Sequence, residues 1–169
     1  MTNLQEKSPA LFSDLAEFEK KIQQLAQMMS IDFSNYEIDH LAVRVNNEQN
    51  AKNWLTLLLK YGRILSDNVV NGRKIYLIRL EKAVKFANQF VDVIELPFPK
   101  NKQYPVEGWE HIEVVMPFLP NESINAWVQR INMRFLWSEL TQLTIKVSEP
   151  KVDGERLPNP SIAVSFVDK

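Results

Sequence analysis

The sequence predicts an α+β domain: an amphipathic N-terminal helix, then two copies of a unit that opens with a strand and a helix and continues in further strands. Three observations predict it. Hydrophobic spacing switches between the period of a strand and the period of a helix in the same order twice. Asn71-Gly72 stands between two alternating runs, the strongest short hairpin signal a sequence carries. Finally, Asp39-His40-Leu41-Ala42-Val43 is matched 71 residues later by Glu110-His111-Ile112-Glu113-Val114, and such self-similarity marks a repeated unit. The 169 residues suit one domain, read as a helix and connector (1–38), a first unit (39–99) and a second (100–169).

Each element has its local reason. Ser8 is a suitable N-cap with Pro9 at the first helical position, where a missing N–H costs nothing. Leu11, Leu15, Phe18, Ile22, Leu25 and Met29 then share one face. That stripe packs on the domain or, as the sharper reading, forms a dimerisation arm. Residues 39–45 alternate as a strand, with Leu41, Val43 and Val45 on one face and His40, Ala42 and Arg44 on the other. A helix follows over 48–61, with Ala51, Trp54, Leu55 and Leu58 inward and Gly62 as its stop. Strands at 63–70 and 73–80 flank the Asn-Gly turn, and a fourth at 90–96 ends at Pro97.

The second unit opens with a strand at 109–116 and a helix at 122–133, with Ile124, Trp127, Val128 and Ile131 on one face. A short strand at 143–147, a proline-bearing loop at 149–160 and a strand at 162–167 complete it.

Composition excludes several function classes. A formal charge of −1 argues against a broad footprint for nucleic acid or anionic membrane. No apolar run approaches the ~18–20 residues of a membrane span, and no signal-peptide pattern opens the chain, so a cytoplasmic protein is expected. The absence of cysteine removes disulfides, thiolate metal sites and cysteine nucleophiles. Four scattered glycines form no phosphate-cradling loop, and there is no G-x-S-x-G elbow.

Chemistry therefore rests on His40, His111 and carboxylates. Two units paired about a pseudo-twofold axis would bring both histidines into one concavity on the face away from the helices. Glu95, at the end of the fourth strand, is the carboxylate placed to join them, and Glu113 shares the face of His111. Two imidazoles and one or two carboxylates suit a divalent ion such as Zn, Fe, Mn or Ni. The competing reading is structural: a strand histidine is ordinarily bonded to a carboxylate such as the neighbouring Asp39 or Glu110, and Glu95 can be a solvated strand end. Arg44 can bind an anionic group or pair with Glu113.

These stretches, with Asn71-Gly72-Arg73, Glu95-Leu96-Pro97-Phe98-Pro99, Tyr104-Pro105-Val106-Glu107-Gly108-Trp109-Glu110-His111 and Glu155-Arg156-Leu157-Pro158-Asn159-Pro160, resemble the YecM family of bacterial proteins. That family is similar in fold to the vicinal oxygen chelate superfamily of glyoxalase-like lyases, isomerases and extradiol dioxygenases. The resemblance implies paired βαβββ modules forming a curved, mainly antiparallel sheet around a concave site, with the last strand of the second module absent. It implies metal ligands at His40, Glu95 and His111, with Glu113 as base or further ligand. Arg44, Arg73 and Arg156 are then candidates to orient a small substrate. The alternative is a non-catalytic small-molecule-binding protein on the same scaffold, and a homodimer suits either.

Overall fold

The computed structural model describes residues 9–104, 107–134, 143–148 and 160–166. The N-terminal helix α1 (Pro9–Met28) begins at the expected proline; Ser8 and the side chain of Leu11 lie outside the described residues. After a 3-10 turn at Phe33–Asn35 come β1 (Ile38–Arg44), α2 (Glu48–Leu58), β2 (Gly62–Val70), β3 (Arg73–Phe86) and β4 (Gln89–Pro97). The second unit contributes β5 (Gly108–Val115), α3 (Ile124–Arg134), β6 (Leu143–Ser148) and β7 (Ser161–Phe166). The expected loop lies almost wholly outside the described residues.

The seven strands of the described residues join one sheet in the order β2-β3-β4-β1-β5-β7-β6. Only β1 and β4 run parallel; every other neighbouring pair is antiparallel. The two opening strands, β1 and β5, lie side by side at the centre, and Leu41 pairs with Ile112, its own repeat equivalent. A pseudo-twofold axis therefore passes through that pair. One difference separates the halves: β1 has its unit's fourth strand as neighbour, whereas β5 has the third, β7, running antiparallel.

The alternation of apolar residues decides which face is covered. Leu41, Val43, Ile78, Ile94, Leu96, Ile112, Val114, Ile162 and Val164 are buried and continuous with the core under the helices. Helix α1 contributes Leu15, Phe18, Ile22, Leu25 and Met29, and lies on β5 and β7 of the second unit. Its apolar stripe is thus used within its own chain. Helix α2 is capped by Asn47, whose side chain accepts from Asn50 N at 2.8 Å, and it packs on β4. In α3, Trp127 is fully buried and its Nε1–H donates to Met116 O at 2.8 Å, while Ile124, expected inward, is exposed.

Three local features differ from the sequence reading. Gly62 does not stop a helix, because α2 already ends at Leu58; it opens β2, where a Cβ would lie 2.2 Å from Arg79 O. Close approach of two strands, not a left-handed turn, requires the glycine. The strand expected at 73–80 continues to Phe86 through an irregularity between Arg79 and Val84, then turns on Ala87-Asn88 with φ of 50° and 61°. Ala87 N donates to Glu19 Oε2 at 2.7 Å, so α1 helps hold a turn that its residues disfavour. Asn71 and Gly72, by contrast, take the positive φ of the expected hairpin turn.

Candidate metal centre

The central strand pair builds the site. On the face away from the helices, His40 stands opposite Glu113 and Ala42 opposite His111, while Ala42 on its other side pairs with Glu95. Four functional side chains therefore surround Ala42, whose methyl group leaves room above it. The ring centroids of His40 and His111 are 6.0 Å apart in an edge-on arrangement. One ligand atom each from His40, Glu95 and His111 lies within 4.8 Å of the others.

Two β-bulges explain how the histidines are aimed. The β1–β5 ladder slips between Ile38 and His40, leaving Asp39 extra, and again between Ala42 and Val43, leaving Glu110 extra. The bulges are related by the pseudo-twofold axis. Strict alternation would send each acid to the face opposite its histidine; a bulge re-aims it. Asp39 Oδ2 thereby lies 2.8 Å from His40 Nδ1, and Glu110 Oε2 bonds His111 Nδ1 in the same way. Each carboxylate lies against Nδ1 and turns Nε2 inward, the outer-shell arrangement that orients metal-binding histidines.

The inner atoms are close but imperfectly paired. His40 Nε2 is 3.0 Å from Glu95 Oε2 and 4.0 Å from Glu113 Oε2, and His111 Nε2 is 3.8 Å from Glu113 Oε2. Despite the short approach of Glu95, His40 Nε2 is buried without a properly aligned hydrogen bond among the described residues. Burial works against a charge on His40, but Asp39, Glu95 and Glu113 outweigh it and push its pKa up to about 9. A ligand ion would find a partly oriented donor set here: two imidazole nitrogens and a carboxylate gathered within 4.8 Å, which would draw in further around it, since ligand atoms of a tetrahedral ion lie about 3.3–3.5 Å apart. The donor set, with both imidazoles turned toward carboxylates, fits a divalent metal.

The remaining candidates are distributed unevenly. Glu113 sits between the histidines, its Oε1 accepting from Ser161 Oγ at 2.6 Å. Arg44 pairs with Glu110 at 3.2 Å and stacks on Tyr104, not with Glu113. Arg73 stands beside the β2–β3 turn, paired with Val70, whereas Glu95 pairs with Leu77 further along β3. Arg156 lies outside the described residues. Sequence reasoning gave no role to Ser161 or Tyr104: Ser161 reaches Glu113 through the pairing of β5 and β7, and Tyr104 reaches Arg44 from a loop held by Asn46. The acids preceding the histidines were visible as a repeated acid-His dipeptide.

A sheet of two related units, with a histidine–carboxylate cluster at the seam between their opening strands, defines the class of protein. The chain belongs to the YecM family, whose description ("YecM protein") it matches over residues 7–169. It is 36% identical over 156 residues to "Protein YecM" of Escherichia coli (strain K12), spanning 90% of this chain and 80% of that one. An uncharacterized protein of Haemophilus influenzae (strain ATCC 51907 / DSM 11121 / KW20 / Rd) is 79% identical over 169 residues, covering all of this chain and 87% of its own length. A solved structure described as "Structural Genomics, Protein EC4020" superposes with a TM-score of 0.77 at 33% identity, over 98% of this chain and 86% of that chain. Among the described residues no helix is long and apolar enough to cross a membrane.

Proposed function

We propose that this protein binds one divalent metal ion through His40, Glu95 and His111 and acts on, or holds, a small oxygen-rich molecule in the manner of the vicinal oxygen chelate proteins. The observation that carries the reading is the twinned acid-His pair: two symmetry-related bulges bring Asp39 and Glu110 onto the Nδ1 atoms of His40 and His111, and ligand atoms of His40, Glu95 and His111 gather within 4.8 Å of one another. Purely structural histidines do not need that symmetry. The order of the first unit, with β1 beside β4, also agrees with the βαβββ module.

Two imidazoles and a carboxylate leave coordination positions open, so iron, zinc, manganese and nickel are the ions to consider. When bound, such an ion supplies Lewis-acid polarisation of substrate oxygens. The chain itself would do the rest. Glu113, fixed by Ser161 and facing both histidines, is the group placed to take up or return a proton. Lyase, isomerase and dioxygenase chemistry all suit that arrangement, and a bound metal's identity would separate iron-based oxygenation from the others.

One observation favours a metal-free binding protein on the same scaffold: the carboxylates around His40 stabilise its protonated form, so the cluster can satisfy itself as an ion-pair network. Metal content decides between the two. Protein purified without chelator or affinity tag should carry about one transition metal per chain, lost in the double variant His40→Ala, His111→Ala. Folded wild-type protein that takes up no metal on reconstitution would overturn the proposal and leave the binding-protein reading.

A further inference from the structure

Arg44, on the same strand as His40, is committed to a neighbour rather than aimed into the site. Arg44 Nη2 lies 3.2 Å from Glu110 Oε1, and its guanidinium carbon is 3.8 Å from the centroid of the Tyr104 ring. Through its other oxygen, Oε2, the same Glu110 bonds His111 Nδ1. Tyr104 is itself fixed: Asn46 Nδ2 donates to its carbonyl at 2.7 Å, and its N–H donates to Asn46 Oδ1 at 2.8 Å. Tyr104, Arg44, Glu110 and His111 thus form one continuous chain of contacts from a strapped loop to the centre of the site.

The other half has no arginine at the equivalent place. The 71-residue offset that relates the histidines carries Arg44 to Val115, which has no charge to offer Asp39. Accordingly the Asp39 side chain is 58% exposed, against 21% for Glu110. The symmetry of the bulges is kept while the arginine is found on one side alone.

We propose that Arg44 is a positioning residue for His111; the inference rests on the metal-centre reading for its purpose but not for its structural test. A glutamate side chain rotates readily and can offer either oxygen. The planar guanidinium, placed over the Tyr104 ring, engages one oxygen and leaves the other to meet Nδ1. That keeps the Nδ1 proton in place and presents Nε2 to the site. His111 is thus set before any ligand arrives.

The test uses metal-free full-length chain, comparing wild type with Arg44→Met, Arg44→Lys and Tyr104→Leu. Side-chain nitrogen NMR of both histidines is the structural readout, and cobalt(II) is the metal probe. In Arg44→Met the His111 nitrogen shifts should move toward mixed tautomers while those of His40 hold, and the cobalt dissociation constant should rise about 10- to 100-fold. Arg44→Lys should restore only part of both effects, and Tyr104→Leu should move them in the same direction by less. Those two variants carry the test if Arg44→Met does not fold. Unmoved His111 shifts in the folded variants would overturn the proposal, whatever cobalt does. If wild type binds no cobalt yet the His111 shifts move, the positioning role stands and the metal reading falls.

Discussion

His40 ties the stability of the metal-free protein to pH. Its side chain is 10% exposed, and burial opposes its charge, yet Asp39, Glu95 and Glu113 together raise its pKa from 6.5 to about 9. A raised pKa means that the folded protein holds the proton more tightly than the unfolded chain does. The resulting stabilisation is fully present below about pH 6.5 and is lost as pH rises through about 9. At about 1.4 kcal/mol per unit the full shift corresponds to about 3 kcal/mol. Glu95 is 21% exposed, so water screens part of its attraction, and about 2–3 kcal/mol is the fairer figure. Urea unfolding of chelator-treated protein between about pH 6 and pH 10 measures it, with His40→Gln as the control. Wild type should lose that amount across the window, and His40→Gln should lose much less. An equal loss in both proteins, or a flat wild-type profile, would refute the reasoning.

Two further outcomes follow from the same geometry. Metal binding requires a neutral imidazole, so between about pH 6.5 and 9 each ion bound should release about one proton from His40; titration calorimetry in buffers of different ionisation enthalpy reads this, and no release would contradict protonation of His40 in the metal-free state. Gly62→Ala places a methyl group 2.2 Å from Arg79 O, so the β2–β3 pairing must shift, and a loss of about 1–3 kcal/mol in urea unfolding is expected.

What could be read from the sequence, and what could not, divides along the range of the interactions. Most of the strand and helix periods, the Asn71-Gly72 turn and the described inward face of α1 are set within a few residues, and these are found where expected. The repeat of Asp39-His40 in Glu110-His111 also predicted the central fact of the site, because equivalent residues on adjacent opening strands must meet near the axis. The bulges were not visible: alternation places Asp39 and Glu110 on the wrong face, and only the register between β1 and β5 corrects it. Ser161 and Tyr104 come to the site from strand pairing and a loop, with no local signature. Gly62 was misread because a glycine after a helical pattern signals a stop, while its actual constraint is the backbone of Arg79 on a different strand.

The most direct measurement is anomalous diffraction from crystals grown with cobalt or manganese. A peak within about 2.0–2.2 Å of His40 Nε2, His111 Nε2 and a Glu95 oxygen, above Ala42, is the predicted result. It should vanish in His40→Ala, His111→Ala crystals that retain the sheet. No peak at the seam of β1 and β5, with His40 still paired to Glu95 in protein exposed to the ion, would contradict the metal centre and return both histidines to a structural role.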